Sequence, residues 1–125
     1  MPMRAPLLLI SLLLAAGAIA VSAWASSEAT GTLVGRTGPG FDISVKTAGG
    51  QKVARVKAGS YTFRITDRTG DDAHNFRLLG PGINIATSVG FVGARTWRVK
   101  LQRGKTYRFI CDPHAFVMKG SFKVT

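Results

Sequence analysis

YRFICDPHAFVMKGSFKVT, residues 107–125, ends the chain and carries its clearest strand pattern together with its densest chemistry. Thr106 to Cys111 alternates, with Tyr107, Phe109 and Cys111 on one side, which puts the thiol at the inner end of a core strand. Asp112-Pro113 then makes a turn from which His114 swings back beside the sulfur. Met118 follows one short loop later, and Gly120 lets the chain turn into a last strand, Ser121 to Thr125, with Phe122 and Val124 on one face.

The same period of two recurs upstream. In SYTFRITD, Tyr61, Phe63 and Ile65 point one way while Thr62, Arg64 and Thr66 point the other. Thr96 to Leu101 places Trp97, Val99 and Leu101 inward and Arg98 and Lys100 outward, and QRGK after it is a tight turn. Thr32 to Val34 and Phe41 to Val45 flank the turn GRTGPG, Val53 to Val56 is a further short strand, and Asn75 to Leu79 ends at GPG. Two segments read differently. INIATSVGFVGA, residues 83–94, has no clear period and reads as loop or irregular edge; Ser26 to Thr30 is polar and expected to be flexible. The mature chain has no helical period of useful length, no repeat and no low-complexity tract. With 15 glycines and 5 prolines to make turns, about seven short strands predict one all-β domain, a β-sandwich with Greek-key connections.

The N-terminus precedes that domain with Arg4, an apolar run from Leu7 to Val21 and the small-residue site Ala23-Trp24-Ala25. This order of parts predicts a signal peptide over residues 1–25, cut after Ala25, and a domain over residues 26–125. Retention as a single-span anchor is the alternative, since Pro6 to Ala25 is about the length a bilayer needs. Either way the domain is expected to work outside the cytoplasm, periplasmic or secreted.

Export changes the meaning of the one cysteine. Cys111 has no internal disulfide partner, which leaves an intermolecular bond, a free thiol or a metal ligand. The formal charge is +11, and +10 once Arg4 is removed with the leader. Such a field favours acidic partners or anionic surfaces. Export argues against nucleic acid, and the basic residues Arg64, Arg98, Lys100, Arg108 and Lys123 fall between apolar neighbours, as the outer face of a strand requires.

Cys111, His114 and Met118 in one loop and His74 in DDAHNF make a recognisable donor set. Thiolate and thioether are soft, imidazole is borderline, and a His₂Cys plane with a weak axial Met is the geometry associated with blue copper and electron transfer. The joint pattern of an upstream His-Asn pair, an aromatic-x-aromatic-x-Cys strand and Cys-x₂-His-x₃-Met resembles the ligand loops of the cupredoxins, the plastocyanin, amicyanin and pseudoazurin type of blue copper protein. The resemblance implies a cupredoxin-like sandwich holding one copper ion through His74, Cys111 and His114, with Met118 as the long axial ligand. It also implies that Asn75 braces the two ligand loops and aims a backbone N–H at the Cys111 sulfur.

The function so implied is that of a monomeric one-electron carrier, not an enzyme. Electrons would pass through the exposed edge of His114, inside an apolar patch of Pro113, Ala115, Phe116 and Val117, to redox partners with acidic docking surfaces. Two other readings use the same residues: an extracytoplasmic copper carrier or chaperone without electron transfer, and a metal-free β-sandwich surface module in which Cys111 is merely buried. Hydrolysis through Cys111 and His114 lacks an oxyanion-hole signature and an orienting third group.

Overall fold

The computed structural model describes residues 2, 17–20, 22, 28–68 and 73–125. Most of the expected signal segment, residues 1–25, therefore lies outside the described residues, as do Thr69–Asp72 of the polar loop before His74.

Among the described residues, nine strands form two sheets: β1 (Ala29–Thr37), β2 (Ile43–Thr47), β3 (Arg55–Val56), β4 (Gly59–Asp67), β5 (Arg77–Gly80), β6 (Ile83–Ala86), β7 (Gly93–Leu101), β8 (Thr106–Ile110) and β9 (Lys119–Val124). One sheet has the order β2-β1-β4-β7 and the other β3-β9-β8-β5-β6. Both are mixed, since β1 runs parallel to β4 and β3 parallel to β9, while every other pair is antiparallel. The chain crosses repeatedly between sheets, so strands distant in sequence become neighbours, as the expected Greek-key sandwich requires.

The alternating segments behave as predicted. Along β4 the buried positions are Gly59, Tyr61, Phe63, Ile65 and Asp67, and along β7 they are Trp97, Val99 and Leu101. Inner faces of the two sheets meet where Phe63 of β4 stacks on Phe122 of β9 at 6.2 Å between centroids, and within the second sheet Tyr107 of β8 stacks on the same Phe122 at 5.8 Å. Phe76, completely buried just before β5, stacks on Phe109 at 5.9 Å. These contacts join apolar burial with favourable ring geometry.

Three details depart from the sequence reading. Ile83–Ala86 is a regular edge strand, antiparallel to β5 with Leu78 opposite Ile85. Its weak period reflects its place at the sheet margin, where only one neighbour and one partly covered face select the side chains. Ala29 and Thr30, expected to be flexible, belong to β1 and pair with Gly59 and Ser60, because backbone pairing with β4 does not depend on their polarity. Phe41 falls in the turn between β1 and β2 instead of in β2, and its ring leaves the sheet for the end of the sandwich.

That end is where the loops converge. Thr37 Oγ1 donates to the buried Asp67 Oδ2 at 3.2 Å, tying the last residues of β1 and β4 together at the base of two of the loops. The β8–β9 connection arrives beside them as a single 3₁₀ turn, Asp112–His114, with Pro113 inside it.

Candidate metal centre

The β8–β9 loop is closed by its own backbone. Cys111 is extended at φ −98°, ψ 120° and continues β8 into the loop. The His114 amide donates to Cys111 O at 3.1 Å and the Met118 amide to His114 O at 2.8 Å. The Cys111 amide then donates to Met118 O at 3.1 Å, so the first and last donors of the loop are tied directly to each other. Gly120 opposite Phe109 lets β9 follow at once: a Cβ there would lie 2.3 Å from the Phe109 ring, closer than atoms can pack.

His74 comes from the other side. Its carbonyl accepts the Gly90 amide at 2.9 Å, which fastens it to the loop between β6 and β7. The side chain is completely buried, and its Nε2 has no hydrogen-bond partner among the described residues. Nδ1 is the atom it presents to the loop of Cys111.

The three donors meet closely. His74 Nδ1 and His114 Nδ1 each lie 3.6 Å from Cys111 Sγ and 3.1 Å from one another. A triangle with these sides has a circumradius of about 2.0 Å, so one point stands that far from both nitrogens and the sulfur. This fits metal–imidazole bonds of roughly 2.0–2.1 Å and falls slightly short of a metal–thiolate bond of roughly 2.3 Å. Met118 is completely buried and its backbone contacts those of both Cys111 and His114. His74, Cys111, His114 and Met118 thus form a blue-copper-like site. The donor chemistry fits copper better than zinc, whose structural sites take thiolate, imidazole and carboxylate but not thioether.

Asn75, next to His74, lies between the two loops. Its backbone N–H points at Cys111 Sγ from 3.5 Å. Its side chain bridges the loops: Nδ2 donates to Thr87 O at 3.2 Å and to Asp112 Oδ2 at 2.7 Å, and Oδ1 accepts the Asp112 amide at 2.7 Å. Thr87 completes the brace by accepting the Phe76 amide on Oγ1 at 2.9 Å.

Asp112 neither points into the donor cluster nor stands free. Arg77 reaches it with Nε and Nη2, both at 2.8 Å, and spans to Asn84 Oδ1 with Nη1 at 2.7 Å. Hydrogen bonding by the Arg77 guanidinium holds the Asp112 carboxyl below its ordinary range, against the opposing effect of desolvation and with help from Asn75. The same bond raises the pKa of Arg77.

Around the donors the surface is apolar. Phe41 sets its ring edge-on to His114 at 5.0 Å and to His74 at 6.3 Å while remaining 59% exposed. Phe116 is 96% exposed and Val117 63%. His114 is half-buried, whereas His74, Cys111 and Met118 are sealed. A groove of about 600 Å³ begins at Ala115 and Phe116 and runs along the outer face of β8 and β9 between Arg108 and Lys119.

Phe41, Thr87, Arg77 and Asp112 enter the site without having been predicted as parts of it. For Phe41 and Thr87 no local signal exists, since each is carried in by a turn whose path depends on the sheets. Asp112, beside the thiol in sequence, was visible; its partner thirty-five positions upstream was not.

No protein-family profile and no curated protein sequence matches the chain. Among solved structures it is similar to rusticyanin from Thiobacillus ferrooxidans, at 19% identity and TM-score 0.57, over 79% of this chain and 79% of that one. A rusticyanin carrying substitutions gives 20% identity and TM-score 0.59, over 79% of each chain. Reduced rusticyanin gives 19% and 0.57, over 79% of this chain and 81% of that one. At such identities the likeness is one of fold, and the fold is that of the cupredoxins.

Proposed function

We propose that the protein is an exported type I copper protein that holds one copper ion and carries single electrons between redox partners. The observation that carries this reading is the convergence of two imidazole Nδ1 atoms and one thiol sulfur around a common point about 2.0 Å from each, with a buried thioether in the same loop. One neighbour in fold is described as a copper protein and another as its reduced form.

Copper bound there supplies a one-electron couple and a coloured thiolate complex. The rest is the work of the chain. His74 and His114 would hold it through Nδ1, Cys111 through its thiolate and Met118 through its thioether. Loop hydrogen bonds, Asn75 and the aromatic core beneath hold the donors in one arrangement, so that little rearranges when charge changes. The Asn75 N–H on sulfur withdraws charge from the thiolate and raises the reduction potential. His114, the one partly exposed donor, is the route for electrons, and Phe41, Phe116 and Val117 around it form a dry contact of the small size such transient partners use. Arg108 and Lys119, beside Phe116, place positive charge at the rim for an acidic partner.

Carriage of copper without electron transfer is the competing reading. A delivery site must open for exchange, whereas here three of the four donors are completely buried. The deciding experiment is the visible and EPR spectrum of the copper-loaded protein. An intense thiolate-to-Cu(II) band is expected that bleaches on reduction and is missing in Cys111→Ser. A colourless complex, or copper held equally well by the Ser variant, would rule out the blue site.

A further inference from the structure

We infer that Arg77 is a positioning residue for the metal-binding loop: its two-pronged ion pair with Asp112 keeps Asn75 bridging the loops and its peptide N–H on the Cys111 sulfur. This rests on the copper reading for its consequence, but the positioning itself is a property of the metal-free chain.

The contacts form one continuous run. Asn84 on β6 accepts from Arg77 Nη1, so the guanidinium is anchored within its own sheet before it reaches the loop. Arg77 then takes both oxygens of Asp112, Nε on Oδ1 and Nη2 on Oδ2. Oδ2 is shared with Asn75 Nδ2, and the Asp112 amide returns to Asn75 Oδ1, closing a ring of two hydrogen bonds between residues 37 apart. From Asn75 the last link is its own N–H to Cys111 Sγ. Rotation of the Asp112 carboxylate away from Arg77 would take one side of that ring with it.

An ion pair with side chains 31% and 32% exposed is ordinarily worth little to stability. Here its value is directional. The planar fork fixes the plane of the carboxylate, and a lysine, a point charge on a flexible stem, cannot. Arg77 also matches the negative charge that Asp112 would otherwise leave beside a thiolate. Both effects act on the sulfur through Asp112 and Asn75, with no contact between Arg77 and a donor.

The test compares Arg77→Met, Arg77→Lys, Asp112→Asn and the Arg77→Met/Asp112→Asn double variant. In metal-free protein, hydrogen exchange at the Asn75 amide is expected to speed up at least tenfold in Arg77→Met and nearly as much in Arg77→Lys, while the amides of Phe63 and Phe109 keep their protection. In copper-loaded protein the visible band and copper hyperfine splitting shift, and copper affinity falls roughly 10–100-fold, the usual cost of removing a group that orients a ligand. The double variant is expected to be no worse than Asp112→Asn, because Arg77 acts only through that residue. Asn75 exchange within twofold of the parent in Arg77→Met overturns the positioning role, and full rescue by Lys overturns the role of the fork. A parent that binds no copper defeats the copper reading alone, and the Asn75 exchange rates still decide on Arg77.

Discussion

Replacing Asn75 by Ala removes three side-chain hydrogen bonds from a residue that is 1% exposed: Nδ2 to Thr87 O, Nδ2 to Asp112 Oδ2 and Oδ1 from the Asp112 amide. The two neutral bonds are worth about 1 kcal/mol each and the bond to the carboxylate about 1.5–3 kcal/mol. Asp112 is one-third exposed and keeps Arg77, so water replaces much of the last term, whereas the Thr87 carbonyl loses its bond in a buried position. The expected loss is about 3 kcal/mol, or roughly 12–24 °C in Tm for a domain of this size. Urea and thermal unfolding of the metal-free protein, followed by circular dichroism, measure it, with an unchanged urea slope showing that the same transition is compared. Asn84→Ala is the control, since it removes an exposed hydrogen bond to Arg77 and is expected to cost less than about 0.5 kcal/mol. A loss below about 1 kcal/mol for Asn75→Ala would mean that the bridge between the loops forms without holding them.

Gly120→Ala sets a methyl 2.3 Å from Phe109, whose ring is stacked on Phe76, and is expected to destabilise by about 1–3 kcal/mol in denaturant titration; a neutral result would show that the ring can move aside. Met118→Leu keeps the buried volume and removes the thioether, so copper should stay bound while the reduction potential measured by voltammetry rises, and no shift would remove Met118 from the coordination sphere. Raising ionic strength from about 10 to 200 mM should slow reduction by an acidic redox protein roughly tenfold or more in stopped flow, given the +11 formal charge; a flat response would exclude electrostatic steering.

The strand pattern and the donor set were legible because each is a local property. Period-two alternation in SYTFRITD and TWRVKL states which face is buried without reference to any partner, and β4 and β7 follow it residue by residue. Cys111, His114 and Met118 were recognisable because one short loop carries all three, and chemistry at that spacing has few uses. Ile83–Ala86 was not legible as a strand, since an edge strand with one neighbour leaves little imprint on its residues. Phe41 was misassigned for a related reason: an aromatic next to a strand pattern looks like a strand residue until the turn that diverts it is seen.

Residue identity by itself determined which atoms could coordinate and which strands would alternate, because donor softness and side-chain period belong to single residues and their immediate neighbours. Only the tertiary structure decided that His74 Nδ1 stands 3.6 Å from a sulfur 37 positions away, and that Asp112 is turned toward Arg77 instead of toward the donors. Those are distances between strands brought side by side by the parallel and crossed pairings of two sheets. Such pairings are selected by the burial of the whole core and not by any stretch within it.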